Sequence, residues 1–102
     1  MAERTLIAVY MLTNQPMGTL YVGVTNNLFR RMEEHRAGVF PGFTKTYGLK
    51  RLIWYEPHEL ITSAIQREKT LKHYVRDWKT NLIERENPHW DDLYPALLAN
   101  GQ

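Results

Sequence analysis

The feature that most constrains the fold of this 102-residue sequence is a pair of short apolar segments separated by a turn. Leu6 to Leu12 contains the β-branched residues Ile7 and Val9, and Thr19 to Val24 has a similar apolar composition. Between them lies the sequence NQPMG, residues 14–18, whose Asn, Pro and Gly favour a turn. Because the connection is short, the two segments are predicted to pair as an antiparallel hairpin.

A helix over residues 27–37 is predicted to follow the hairpin directly. Thr25, Asn26 and Asn27 offer side chains that can cap its first turn, and Gly38 is a natural stop at its end. The following loop leads to a third predicted strand.

The second half of the sequence predicts that third strand and two further helices. Leu49 to Glu56 is typical of a strand, and Pro57 ends it. One helix, capped by Thr62 or Ser63, is predicted to run to about residue 74, and another covers Arg76 to Glu86. The order of elements therefore predicts an α+β domain, with a small three-stranded, mostly antiparallel sheet flanked by helices.

The length of the chain fits one domain. A sequence of 102 residues, 43% of them hydrophobic, supplies one core and is too short for two. We expect a single domain over residues 1–92 and a C-terminal tail over residues 93–102, with Trp90 and Leu93 packed back onto the domain. Trp54, Trp78 and Trp90 are expected in the core, with an interface or a stacking platform as the alternative.

Composition and charge exclude several classes of protein. No apolar run approaches the roughly 20 residues needed to span a membrane, and the N-terminal residues are typical of a strand, not of a signal peptide. The chain contains no cysteine, which excludes disulfides and thiolate metal sites and suits the cytoplasm. Its net charge is +2, but 12 of the 13 Lys and Arg lie at or before residue 83, which is consistent with a polyanionic partner.

Tyrosines on both strands of the hairpin and two polar residues on the first helix mark a candidate site. Tyr10 and Tyr21 can share one face of the sheet, and Gly23 leaves room for a ligand or backbone to approach. Arg31 and His35 are four residues apart and so lie on one helix face. Arginine suits phosphate oxygens and histidine can move a proton near neutral pH. The alternative is that these residues have no catalytic role. In that case the tyrosines are half-buried strand residues, and Arg31 and His35 belong to an exposed polar face of the helix.

Two polar residues on the later helices extend this candidate site. Glu68 lies among basic residues, and a single carboxylate is enough to hold Mg²⁺ that takes its other ligands from water and phosphate. A salt-bridge role is the alternative for Glu68. Asn81 lies within a predicted helix, where asparagine has poor propensity. It therefore either makes a specific hydrogen bond or is a surface residue that the helix tolerates.

Together these residues resemble the GIY-YIG nuclease domain, whose family is named after two short strand motifs. Ala8-Val9-Tyr10 stands at the first motif, with Ala8 where Gly is usual, and Tyr21-Val22-Gly23 stands at the second. Four further positions match the family in order, namely Arg31, His35, Glu68 and Asn81. The resemblance covers roughly residues 5–92 and extends to the small stand-alone bacterial members through stretches such as LYVGVTNNLFRRMEEHRAG.

The resemblance implies a metal-dependent endonuclease that hydrolyses phosphodiester bonds in DNA, with repair or recombination as the expected setting. It implies that Glu68 holds Mg²⁺ or Mn²⁺ and that Arg31 stabilises charge on the phosphate. Tyr10 is the expected general base. The remaining site residues would orient the reactants, complete the hydrogen-bond network or leave space for the phosphate: Tyr21, His35, Asn81 and Gly23.

Basic side chains on the loop and on the later helices are the expected phosphate contacts. They are Lys45, Lys69, Lys72 and Arg76. Val24 stands where some members of the family carry a basic residue. The phosphate contact of that basic residue is therefore either missing here or supplied by Lys45. DNA is the expected partner in preference to RNA, with a homodimer or a partner protein as further options. The competing class is a non-catalytic module that binds nucleic acid or protein on the same scaffold.

Overall fold

A computed structural model of the chain describes residues 4–39, 42 and 46–100. Within these residues the chain forms three strands, β1 (Ala8–Thr13), β2 (Leu20–Thr25) and β3 (Arg51–Pro57). The helices are α1 (Leu28–Arg36), α2 (Ile61–Lys72), α3 (Arg76–Glu86) and α4 (Tyr94–Asn100). The predicted α+β class and the predicted element order as far as α3 are confirmed. None of the described helices is long and apolar enough to cross a membrane.

The three strands form one antiparallel sheet in the order β2-β1-β3. The predicted hairpin of β1 and β2 is therefore confirmed. In the central strand β1, Tyr10 lies opposite Gly23 of β2 on one side and Tyr55 of β3 on the other. The register with β3 shifts between Met11 and Leu12. Since β1 is central, all six of its residues are buried.

Side chains of β1 alternate between the two faces of the sheet, and each face has its own hydrophobic cluster. Tyr10 and Leu12 pack with residues of α1 and α4, including Met32. Val9 and Met11 pack on the opposite face with residues of α2 and α3. The sheet is therefore the middle layer of three, with α1 and α4 on one side and α2 and α3 on the other.

A buried asparagine holds the segment after α3 against β3. Asn87 Nδ2 donates to the backbone oxygens of Ile53 at 3.0 Å and of Asp91 at 2.9 Å. Its Oδ1 accepts from the backbone N–H of Asp91 at 3.0 Å. Leu93 donates its N–H to a β3 carbonyl at 2.7 Å, and Trp90 is only 1% exposed. The expected packing of Trp90 and Leu93 onto the domain is confirmed.

Two features of the C-terminal half differ from expectation. Residues 94–100 form α4, which the sequence pattern did not predict, and Tyr94 and Leu97 of this helix join the Tyr10 side of the core. Trp54 is buried as predicted, but Trp78 is 57% exposed, so its predicted core position is wrong. Trp78 lies on α3 outside the sheet-facing row of apolar residues, which leaves its indole at the surface.

Replacing Asn87 by alanine is expected to lower the free energy of unfolding by about 2–3 kcal/mol, because the buried carbonyl of Ile53 and the part-buried backbone groups of Asp91 lose their partner. The same substitution at exposed Asn81 is the matched control and is expected to change it by less than about 0.5 kcal/mol. Urea titration followed by far-ultraviolet circular dichroism measures both variants. Equal effects of the two substitutions would contradict the anchoring role of Asn87.

Candidate active site

Three aromatic rings from β1, β2 and α1 meet on one face of the sheet. The ring centroids of Tyr10 and Tyr21 are 6.3 Å apart, and His35 lies 5.8 Å from Tyr10 and 6.0 Å from Tyr21. The Tyr10 hydroxyl is 3.0 Å from Nε2 of His35, and both residues are buried. The structure thus brings together residues that are far apart in the sequence and were predicted to share a site.

Gly23 determines how closely these rings approach the sheet. It lies opposite Tyr10, and a Cβ atom at this position would be 2.5 Å from Tyr10 Cζ and 2.6 Å from its hydroxyl oxygen. Any larger residue would therefore displace the phenol ring. The room that the sequence predicted for a phosphate or another backbone at Gly23 is instead filled by the Tyr10 ring.

Arg31 acts on both titratable groups of the cluster. Burial raises the pKa of Tyr10 far above its ordinary value and neighbouring Tyr21 adds to the rise, whereas the charge of Arg31 and its hydrogen bond to the phenol oppose it. Burial also lowers the pKa of His35, and the charge of Arg31 adds to that effect. At neutral pH the phenol is therefore protonated and the imidazole is neutral, so we assign the Tyr10 O–H as donor to His35 Nε2.

Arg31 also reaches the surface of the domain. Its Nε atom lies 3.5 Å from a carboxylate oxygen of Glu34, one helical turn further along α1. Both side chains are about one-third exposed, at 32% and 33%. Such an ion pair is weak in water, so an incoming phosphate can replace Glu34 as the partner of the guanidinium.

Glu68 approaches the sheet from the other face. It belongs to α2, which packs against β2 and β1. Its side chain is 14% exposed and accepts from Lys72 Nζ at 2.8 Å. The strand β2 that α2 contacts is an edge strand of the sheet.

Asn81 lies apart from the aromatic rings. It is exposed on α3 and lines a groove between α2 and α3. The structure therefore joins Tyr10, Tyr21, Arg31 and His35 directly, and places Glu68 and Asn81 on the opposite side of the sheet.

The four predicted phosphate contacts have different surroundings. Lys45 lies outside the described residues. Lys72 is paired with Glu68, and Arg76 donates to two carbonyl oxygens of the β1–β2 turn at 3.0 and 2.7 Å. Arg76 thus ties the hairpin turn to α3. Lys69 is exposed on α2 and remains available to contact a phosphate.

Sequence reasoning missed the groove that contains Asn81. Its lining includes Arg67, Tyr74, Trp78 and Arg85. Trp78, Asn81 and Arg85 follow one another at spacings of three or four residues, which places them along one side of α3, and Tyr74 lies in the turn just before that helix. That spacing was the pattern in the sequence that could have found the groove.

The sequence is similar to those of known proteins. A family model described as the GIY-YIG catalytic domain matches residues 6–81. A UPF0213 protein of Haloquadratum walsbyi is 33% identical over 66 residues, which cover 65% of this chain and 74% of that protein. A UPF0213 protein of Staphylococcus aureus is 33% identical over 67 residues, which cover 66% of this chain and 82% of the relative.

A solved structure is similar as well. The solution NMR structure of a UPF0213 protein from Bacillus halodurans superimposes with a TM-score of 0.53 at 26% sequence identity. The match covers 84% of this chain and 90% of that one. The similarity therefore extends over most of both chains.

The lowered pKa of His35 predicts how the stability of the fold depends on pH. The imidazole of His35 binds a proton more readily in the unfolded chain than in the folded protein. The contribution of His35 to the free energy of unfolding is therefore complete above about pH 6.5 and is lost as the pH falls below it. We expect the free energy of unfolding to fall more between about pH 7.5 and about pH 5.5 in the wild type than in His35→Gln. Urea titrations at both pH values test this. Identical pH dependence in the two proteins would rule out a buried neutral imidazole.

Proposed function

The chain belongs to the GIY-YIG family, a family of nucleases, and on that premise we propose that it is an endonuclease that hydrolyses phosphodiester bonds in DNA with a divalent metal ion. The observation that carries the proposal is the buried Tyr10 phenol, 3.0 Å from His35 and hydrogen-bonded to Arg31. Polar and titratable groups are costly in such a position when they serve packing alone. Their convergence beside a surface arginine supports a catalytic role.

Tyr10 and His35 form the proton-transfer pair of the proposed reaction. Burial raises the pKa of Tyr10, so the phenol does not act as a free phenolate at neutral pH. Instead, once substrate binding opens the buried phenol to water, the Tyr10 oxygen takes the proton of the attacking water while its own proton passes to Nε2 of His35. The lowered pKa of His35 keeps the imidazole neutral and able to accept that proton at the start of the reaction. Tyr21 packs against both rings and orients them.

Arg31 stabilises the charge that develops during the reaction. Its guanidinium contacts the Tyr10 phenol and is partly exposed, so it can bind the scissile phosphate and favour the loss of the Tyr10 proton. A single donor of this kind is worth about 3 kcal/mol of transition-state stabilisation. Arg31 thereby links substrate binding to proton transfer.

Glu68 is the residue that would hold the metal ion. Among the described residues no group of three or more acidic or histidine side chains forms a complete metal site. One carboxylate that is 14% exposed fits Mg²⁺ or Mn²⁺, which keeps several waters and takes further ligands from a substrate phosphate. When bound, such an ion supplies Lewis-acid charge at the scissile phosphate and the leaving oxygen.

The ion pair of Glu68 with Lys72 supports a second candidate function. The carboxylate has a cation 2.8 Å away within the protein itself, which reduces its need for a metal ion. A non-catalytic module that binds nucleic acid or protein on the same scaffold is consistent with this pair. The two candidates differ in whether metal ions produce cleavage.

The proposal predicts metal-dependent cleavage that Glu68→Gln abolishes, because the variant keeps the shape of the side chain and loses its charge. The test uses labelled single-stranded, duplex, flapped and branched DNA and an RNA strand, each with Mg²⁺, with Mn²⁺ and with a chelator. Glu59→Gln removes an exposed carboxylate before α2 and is the matched control.

The outcomes of that experiment separate the two candidate functions. Cleavage that needs the metal, survives in Glu59→Gln and is lost in Glu68→Gln supports the nuclease. Full activity of Glu68→Gln would overturn the metal assignment. Binding of DNA without cleavage of any substrate, by a protein with unchanged circular dichroism, would support the non-catalytic module.

A further inference from the structure

A groove of about 320 Å³ runs between α2 and α3. It lies on the opposite side of the sheet from Tyr10, Tyr21, Arg31 and His35, which we call the Tyr10 cluster. Its lining combines aromatic, cationic and amide side chains: Arg67, Tyr74, Trp78, Asn81, Leu82 and Arg85. Of these residues, only Asn81 was expected from the sequence to take part in the hydrogen-bond network of the active site. The proposed hydrolysis uses none of the others.

The aromatic part of the groove is built around Trp78. Its indole is 57% exposed, whereas Trp54 and Trp90 are buried. The ring of Tyr74 meets the indole edge to face, with centroids 5.3 Å apart and an interplanar angle of 89°. Tyr74 therefore restricts the indole while more than half of its surface stays in contact with water. A flat ligand that covers Trp78 would remove this apolar surface from water.

The polar part of the groove is cationic. Arg85 is exposed and has no ion-pair partner among the residues that the structure describes. The Nε atom of Arg67 donates to Glu56 at 3.2 Å, which fixes the direction of this half-buried guanidinium. Planar guanidinium groups match phosphate oxygens. The exposed amide of Asn81 offers a donor and an acceptor together, as the edge of a nucleobase requires.

We propose that this groove binds one unpaired nucleotide of a DNA strand, with its base stacked on Trp78, its base edge on Asn81 and its phosphate on Arg67 and Arg85. The inference rests on the proposed function and deepens it, because it specifies that the substrate contains a single-stranded segment. In duplex DNA both faces of each base are already stacked, so only an unpaired base can cover the indole. Asn81 then contributes to substrate binding and is not part of the catalytic network.

Binding without metal tests the groove separately from the hydrolysis. Fluorescence anisotropy with a chelator present follows three labelled probes of about 20 nucleotides: oligo-dT, an abasic strand of equal length and a duplex. Trp78→Ala is expected to weaken oligo-dT binding about tenfold or more and to leave duplex and abasic binding nearly unchanged. Trp78→Phe should keep part of the preference for oligo-dT because it retains a ring.

Two matched controls accompany these variants. Leu60→Ala removes an apolar side chain that is 65% exposed at the start of α2, and it should leave all three affinities unchanged. Arg85→Ala should weaken oligo-dT binding more than Arg30→Ala does. Arg30 is an exposed residue of α1, so its replacement removes an equal charge at a distance from the groove.

Several outcomes would overturn the proposal. The first is that the wild type binds oligo-dT and the abasic strand with equal affinity. The second is that Trp78→Ala loses as much affinity for the duplex as for oligo-dT. The third is that Trp78→Ala binds oligo-dT as tightly as the wild type. A wild-type protein that binds no probe would overturn it too, and would favour a protein partner for the groove. None of these results depends on whether the Tyr10 cluster cleaves DNA, so failure of the groove and failure of the nuclease can be distinguished.

Discussion

The close approach of Tyr10 to Gly23 is the contact on which the sheet and the candidate site both depend. Tyr10 is a fully buried residue of the central strand. Its phenol ring occupies the space that a side chain at Gly23 would otherwise fill. In that place its hydroxyl reaches His35 of α1. The same residue therefore packs the core and orients the polar group that we assign to proton transfer. Any change that moves the ring should affect stability and activity together.

Local patterns in the sequence predicted the parts of the fold that local physics determines. The turn residues between β1 and β2 fix the hairpin, and strand register together with the four-residue spacing of Arg31 and His35 brings the site together. Tertiary contacts decided what was missed. The short helix α4 is held by packing of Tyr94 and Leu97. Of Asn81 and Asn87, only Asn87 is buried, because its hydrogen-bond partners lie on β3 and in the segment that follows α3.

The two faces of the sheet divide the proposed functions between them. Tyr10, Tyr21, Arg31 and His35 lie on the α1 side, where proton transfer and charge stabilisation are placed. Glu68 and the Trp78 groove lie on the α2–α3 side, where metal and unpaired strand would be held. A strand that passes along the outer edge of β2 could contact both sides at once. In this arrangement the proposed binding and the proposed cleavage of DNA both take place on one small domain.

The most direct test of this account is to locate a bound metal ion by NMR. Mn²⁺ broadens nearby resonances, so a titration of isotope-labelled protein with a DNA strand present reports where the ion lies. We predict broadening centred on Glu68 that extends across β2 to Gly23 and Tyr21, and its loss in Glu68→Gln. Broadening that persists in this variant, or that centres on other carboxylates such as Asp91 and Asp92, would contradict a single site shared by both faces of the sheet.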